Sequence, residues 1–298
     1  MNAREEGFLL LSSALGNPER KPLTTAQLRT LALRVATMER ADAERELTAS
    51  DLRALGYGSD MIRRILGLLE DLPLLRRYHA NGWQADCTPI TRVSEGYPVI
   101  LRKRLGLESP GVLWAKGDMS LLEKPKISLV GSRDIEKPNA DFAAAVGREA
   151  ARQGYVLVSG NARGADRIAQ QACLDAGGQV ISVVADELMK QTLQPNALYL
   201  SEEGFDTAFT SIRALSRNRV IHALGEKVMV AQCALGVGGT WSGTVHNLKA
   251  NWSPVFCFRD GSEASAQLEQ MGAELITICD LSDFRALPEQ AEDLFEKA

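Results

Sequence analysis

The chain has 298 residues, 45% of them hydrophobic and 24% charged, with a net charge of −4. That is room for one large or two modest globular domains of ordinary soluble composition. No apolar run reaches the ~20 residues of a membrane helix. The acidic balance excludes a broad non-specific coating of nucleic acid, though not a local basic pocket. Cys87, Cys173, Cys233, Cys257 and Cys279 are scattered without a CxxC pair and read as small buried hydrophobes in a reducing compartment. The three histidines lack ligand spacing, so no metal site is expected.

The apolar stretch in MNAREEGFLLLSSALG follows two glutamates rather than a basic region, and reads as a helix rather than a signal peptide. Residues 1–85 read as a helical domain. In TTAQLRTLALRVATMERA, Leu28, Leu31, Leu33, Val35 and Met38 recur at helical spacing, with Thr24 or Thr25 as the cap. Two short helices then flank Gly56-Tyr57-Gly58, with Ser59 capping the second and Gly82 following its end. Short helices joined by glycine turns fit a helix-hairpin-helix or SAM-like module, and equally a plain helical bundle. Residues 86–125 read as a connector, broken by Pro89, Pro98 and Pro110. Its basic cluster Arg102-Lys103-Arg104 is treated as a solvated face.

From 126 to 298 apolar strands alternate with amphipathic helices. The strands are KISLVG, YVLVSG, QVISVVA, KVMVAQC, PVFCF and ELITI; the helices fall at 139–154, 165–178 and 213–225, then in TVHNLKANW and SAQLEQMG. Short continuous apolar strands between helices imply a parallel sheet covered on both faces, a doubly wound Rossmann-like α/β domain. Ligands in such sheets bind at the carboxyl ends of the strands.

Four loops leave strands at that edge. The first is Gly131-Ser132-Arg133, the second runs Ser159-Gly160-Asn161-Ala162-Arg163-Gly164-Ala165-Asp166, the third is Ala185-Asp186-Glu187, and the fourth holds Gly238-Gly239-Thr240 ahead of Trp241. Glycines let backbone N–H groups approach a ligand closely, and Arg133 and Arg163 add fixed forks that suit phosphate oxygens. The spacing excludes familiar uses: there is no G-x-G-x-x-G, no G-x-x-x-x-G-K-[ST] and no G-x-S-x-G. Asp166 is expected to serve the helix start and the loop's hydrogen bonds rather than catalysis. Arg217 and Arg219 flank Asn218, and side chains two apart on a helix diverge by about 200°. At most one of the two arginines therefore points into the pocket.

These pieces, in this order, resemble the DprA/Smf family of DNA-processing proteins. The resemblance runs over about 95–278. It begins with Tyr97-Pro98, Leu101 and PGVLWAKGD (110–118). It continues through VGSR (130–133), SGNARGAD (159–166), the stretch 172–178 and RNRVI (217–221), and closes with LEQMGAELIT (268–277). It implies a Rossmann-type core of the SLOG superfamily, a cytoplasmic location, a homodimer and no membrane association. It also implies single-stranded DNA binding and loading of a RecA-type recombinase in recombination or natural transformation. By position it implies that Ser132, Arg133, Ser159, Gly160, Arg163, Gly164, Arg217, Asn218 and Arg219 line a basic pocket for the strand. Several positions depart from the family's pattern: Ala169-Gln170 replaces its Ala-His, Gln232-Cys233 replaces an acid-bearing strand end, and 238–244 is changed.

The sequence reading is thus of a binding protein and not an enzyme: a recombination mediator without a cofactor, with Trp241 available to stack a base. The alternative is a SLOG-type nucleotide sensor using the same pocket, which the changed 238–244 loop favours. A phosphoribohydrolase reading of Gly238-Gly239-Thr240 lacks the carboxylate that its chemistry needs, since Val245, His246, Asn247 and Leu248 follow.

Overall fold

The computed structural model describes residues 1–38 and 46–289. The end of the helix expected through TTAQLRTLALRVATMERA and the last residues of the 126–298 unit lie outside the described residues. Among the described residues no helix is long and apolar enough to cross a membrane.

The N-terminal part is helical: α1 (Ala3–Ser12), α2 (Thr25–Val35), α3 (Ala49–Ala54), α4 (Ser59–Glu70) and α5 (Leu72–Gln84). Thr24 caps α2, its hydroxyl accepting the Gln27 N–H while Gln27 returns a bond to the Thr24 N–H. Gly58, not Ser59, occupies the cap of α4. Leu31, Leu52, Ile65 and Leu68 form a small apolar core of their own. Buried Arg20 pins it, donating to the Leu10 carbonyl at 2.6 Å and to the Leu68 carbonyl at 2.9 Å. Gly82 does not end a helix; it is buried inside α5, where a Cβ would stand 2.6 Å from the Trp114 ring. Trp114, Tyr78 and Phe205 pack ring on ring there and join the helical part to the sheet.

Nine strands form one sheet in the order β1-β2-β6-β5-β4-β3-β7-β8-β9. They are β1 (Thr88–Thr91), β2 (Val112–Gly117), β3 (Lys126–Val130), β4 (Val156–Ser159), β5 (Gln179–Val183), β6 (Ala197–Ser201), β7 (Lys227–Val230), β8 (Val255–Phe258) and β9 (Glu274–Ile276). The run from β6 to β9 is parallel, whereas β1–β2 and β2–β6 pair antiparallel. The stretch read as a connector therefore supplies two strands and α6 (Val99–Leu105), and β6 is a strand the sequence reading missed. Pro89 is tolerated because β1 is an edge strand, where a missing N–H breaks no central ladder.

Both faces are covered. Ile127, Leu129, Leu157 and Val180 face α7 (Lys137–Arg152) and α8 (Ala165–Asp175). Val156, Val158, Ile181 and Val228 face α6 and α10 (Asn218–Leu224), with α11 (Gly238–Ala250) and α12 (Glu263–Gln270) alongside. This is the doubly wound arrangement. The helix expected over 213–225 is broken into α9 (Ser211–Ser216) and α10, with Arg217 between them. From β3 the chain steps outward through β4 and β5 to β6, then returns to β7 on the other side of β3. The order reverses between β3 and β7, and the crevice outside their carboxyl ends is where such sheets take ligands.

Candidate functional site

The corner after β3, the loop from β4 to α8, the α9–α10 junction and the start of α11 all meet at this reversal. The deepest part is a buried charge pair. Asp166, in the first turn of α8, accepts the N–H groups of Gly160 and Ala162 on one oxygen, each at 3.2 Å. The same oxygen lies 4.0 Å from Nη2 of Arg217. Burial pushes the Asp166 carboxyl above the usual carboxylate range, and Arg217 together with the two N–H donors pulls against that shift. Burial likewise lowers Arg217, with Asp166 opposing. Asp166 thus bonds the loop at the start of α8, the role the sequence reading gave it, and also stands beside Arg217, which that reading did not foresee.

Arg217 lies directly on Gly160. A Cβ at that glycine would stand 1.4 Å from Nη1, so only glycine lets the guanidinium lie against the backbone. Gly164 has φ +84, and a Cβ there would meet the Ser132 carbonyl oxygen at 2.4 Å. The first two loops are therefore clamped together, and the Ala165 N–H donates to the Ser132 carbonyl at 3.1 Å. Two buried polar atoms, Nε of Arg217 and Oγ of Ser159, make no hydrogen bond of good geometry. Ser159 is nonetheless close enough to favour the charged form of Asp166.

Above this layer the charges are open. Arg133 is exposed and makes no hydrogen bond or ion pair among the described residues; it sits near enough to Arg217 to disfavour the latter's charge. Arg163 is exposed and paired with Asp134, while Ser132 Oγ accepts the Asp134 N–H at 3.2 Å. Asn161, at φ +56, donates to Gln191 at 3.3 Å.

The fourth loop is not a loop at its ligand end. Gly238, Gly239 and Thr240 form the first turn of α11. Thr240 Oγ1 donates to the Gly131 carbonyl at 2.9 Å, and Asn218 donates to the Gly239 carbonyl at 3.0 Å. Trp241 is half-buried and packs against the apolar core of that face.

Gly131, Ser132, Arg133, Ser159, Gly160, Asn161, Arg163, Gly164, Arg217, Asn218 and Gly238–Thr240 are thus brought to one edge. Arg219 is not: it turns to the opposite side, pairs with Glu202 at 2.7 Å and donates to the Glu108 carbonyl at 2.9 Å. Asp134, Gln191 and Glu202 were missed from sequence. Asp134 follows Arg133 directly and was visible in principle, while the nearness of Gln191 and Glu202 exists only in the fold.

Residues 88–284 match the family described as DNA recombination-mediator protein A. The chain belongs to that family. It is 30% identical over 205 residues to DNA processing protein DprA of Bacillus subtilis, covering 65% of this chain and 68% of that protein. It is 30% identical over 185 residues to DprA of Streptococcus pneumoniae, covering 57% and 64%. The chain spans about two thirds of the length of these curated relatives. An X-ray structure of the Streptococcus pneumoniae DprA superposes with a TM-score of 0.65 at 24% identity, over 86% of this chain and 95% of that one, a likeness of fold. The Helicobacter pylori DprA, in a structural study of its single-stranded DNA binding mode, superposes with a TM-score of 0.55 at 26% identity, over 66% and 94%. Membership places the chain among DNA recombination mediators rather than nucleotide sensors. The motifs at 130–133 and 159–166 that pointed to the DprA/Smf family fall on this edge, as do Arg217 and Asn218 of 217–221, while Arg219 turns away.

Proposed function

We propose that the edge at the β3/β7 reversal holds single-stranded DNA by its phosphates, and that this DprA-family chain acts by binding and not by catalysis. The carrying observation is Arg133, an exposed guanidinium without a carboxylate partner among the described residues, standing over a buried Asp166–Arg217 floor. An uncompensated charge on a preorganised surface favours an anion at low ordering cost. Asp166, the buried acid of the site, is occupied by two backbone N–H groups and Arg217, and Asp134 is paired with Arg163. That supports a structural rather than a catalytic carboxylate.

In this reading the protein is a cytoplasmic homodimer that keeps a strand accessible and passes it to a RecA-type recombinase. The helical 1–85 unit, the 86–125 lead-in and the 126–298 core are its working divisions. Arg219 is left out of the strand contacts. Titration of a fluorescent oligo-dT at several salt concentrations tests the proposal. With Arg133 and Arg163 as the phosphate contacts, the slope of log K against log salt is expected near about −1.4. Arg133→Ala should weaken binding several-fold. Absence of binding at low salt, or a nucleotide that raises Tm where DNA does not, would sink the reading in favour of a sensor.

A further inference from the structure

α9 is held from one side only. Arg213 is buried and donates to the carbonyls of Ala185, Thr207 and Ala208 and to Ser201 Oγ, at 2.6–2.9 Å, with Glu203 beside it. The outer side of the same helix is apolar and exposed: Ile212 is 79% exposed and Leu215 52%, with Phe209 just before the Thr210 cap at 50%. Leu215 reaches the first turn of α11, its Cδ2 3.4 Å from where a Cβ on Gly239 would stand. The loop entering that turn adds exposed Leu235 and Val237. Scattered exposed apolar side chains are ordinary, but a rigidly anchored band of them marks an interaction surface.

We infer that this band is the platform on which the bases of the bound strand rest. The inference builds on the strand-binding reading above and names the part of the ligand that the polar loops leave unserved. The band borders the phosphate cradle: α9 runs into Arg217, and the α11 turn that Leu215 touches is bonded to both Gly131 and Asn218. A strand with its phosphates at Arg133 turns its bases toward an adjoining wall. That wall carries an aromatic ring and aliphatic groups. Stacking and methyl contact of this kind tolerate any sequence and favour thymine through its C5-methyl group. The band takes the role that Trp241 held in the sequence reading, since Trp241 packs against the core.

Fluorescence anisotropy with oligo-dT and with an abasic strand of equal length and charge separates the two contributions. The wild-type chain is expected to bind oligo-dT about tenfold tighter than the abasic strand, one stacked base being worth that much. Phe209→Ala with Ile212→Ser should erase most of that preference and leave the abasic affinity and its salt slope unchanged. Leu235→Ser, on a different segment, should reduce it in part. Both alter exposed side chains, and circular dichroism checks the fold. Equal affinity of variant and wild type for oligo-dT, or parallel loss on both strands, overturns the inference while leaving the cradle standing. So does a variant that binds oligo-dT normally but loses self-association in sedimentation, which assigns the band to a second copy of the chain. Failure of the wild type to bind either strand overturns the strand-binding reading, and this inference with it.

Discussion

The two sides of the α9–α10 junction carry the same kind of pair and use it differently. On one side Arg217 meets Asp166, both nearly sealed from solvent, with the carboxylate further held by two backbone N–H groups. On the other, Arg219 meets Glu202 at 2.7 Å, beside an open cavity of about 660 Å³. One Glu202 oxygen is buried without a partner, and burial raises that carboxyl while Arg219 opposes the rise. The first pair is a floor for the ligand edge; the second is a tether between the junction and β6. Each pair leaves one buried atom unpaired, Nε of Arg217 and Oε1 of Glu202, so the difference lies in the carboxylate, which backbone donors hold at Asp166.

Removing one partner from each side is the strongest way to break this comparison. Arg217→Met leaves a buried carboxylate uncompensated and should cost about 3 kcal/mol in urea denaturation. Adding Asp166→Asn should restore part of the loss. Arg219→Met should cost about 1 kcal/mol, because the Arg219 side of the junction borders an open cavity. Equal costs on the two sides would erase the distinction.

The next effect comes from His222, farther along α10. It is fully buried, bonded only through Nδ1 to Asn247 at 3.2 Å, and burial, aided by nearby His246, pushes it down to about 3. The unfolded chain binds a proton here near pH 6.5 and the folded chain does not, so stability is lost as pH falls below 6.5 and continues to fall until about 3. The group alone should make the fold about 2 kcal/mol less stable at pH 5 than at pH 8. The raised Asp166 and Glu202 carboxyls act with the opposite sign, so the measurement is the difference between wild type and His222→Gln across that range. No change in the pH dependence would mean that His222 is not held neutral.

The smallest effect sharpens the ligand side. Asp134 pairs with Arg163 at an exposed position. Asp134→Asn should release Arg163 and tighten oligo-dT binding only about twofold, since exposed pairs are weak. A large gain would show that Asp134 acts as a competitor for the phosphate.

Much of the core was legible in the residues. Six parallel strands followed from short apolar runs such as Ile127–Val130, and the position of the ligand edge followed from the glycine-rich turns that interrupt them. Three strands were not legible. Thr88–Thr91 contains a proline, and Ala197–Ser201 follows β5 through a single turn at Leu188–Lys190 rather than a helix, so it breaks the strand–helix alternation that marked the others. The strand at 112–117 is defined by its antiparallel pairing with both Thr88–Thr91 and Ala197–Ser201. The turn at 238–240 read as a loop because its glycines are poor helix formers; the hydrogen bonds at Thr240 and Asn218 override that propensity.

The order of motifs along the chain, by itself, determined the family and the doubly wound fold, because strand length, helix period and turn chemistry are local properties. Helix geometry also determined that residues 217 and 219 must diverge. Which of them meets Asp166, which meets Glu202, and that Trp241 packs against the core while an apolar face on α9 stays exposed were decided only by tertiary structure. Those outcomes depend on what each side chain finds across the sheet edge, and the partners come from segments far apart in the chain.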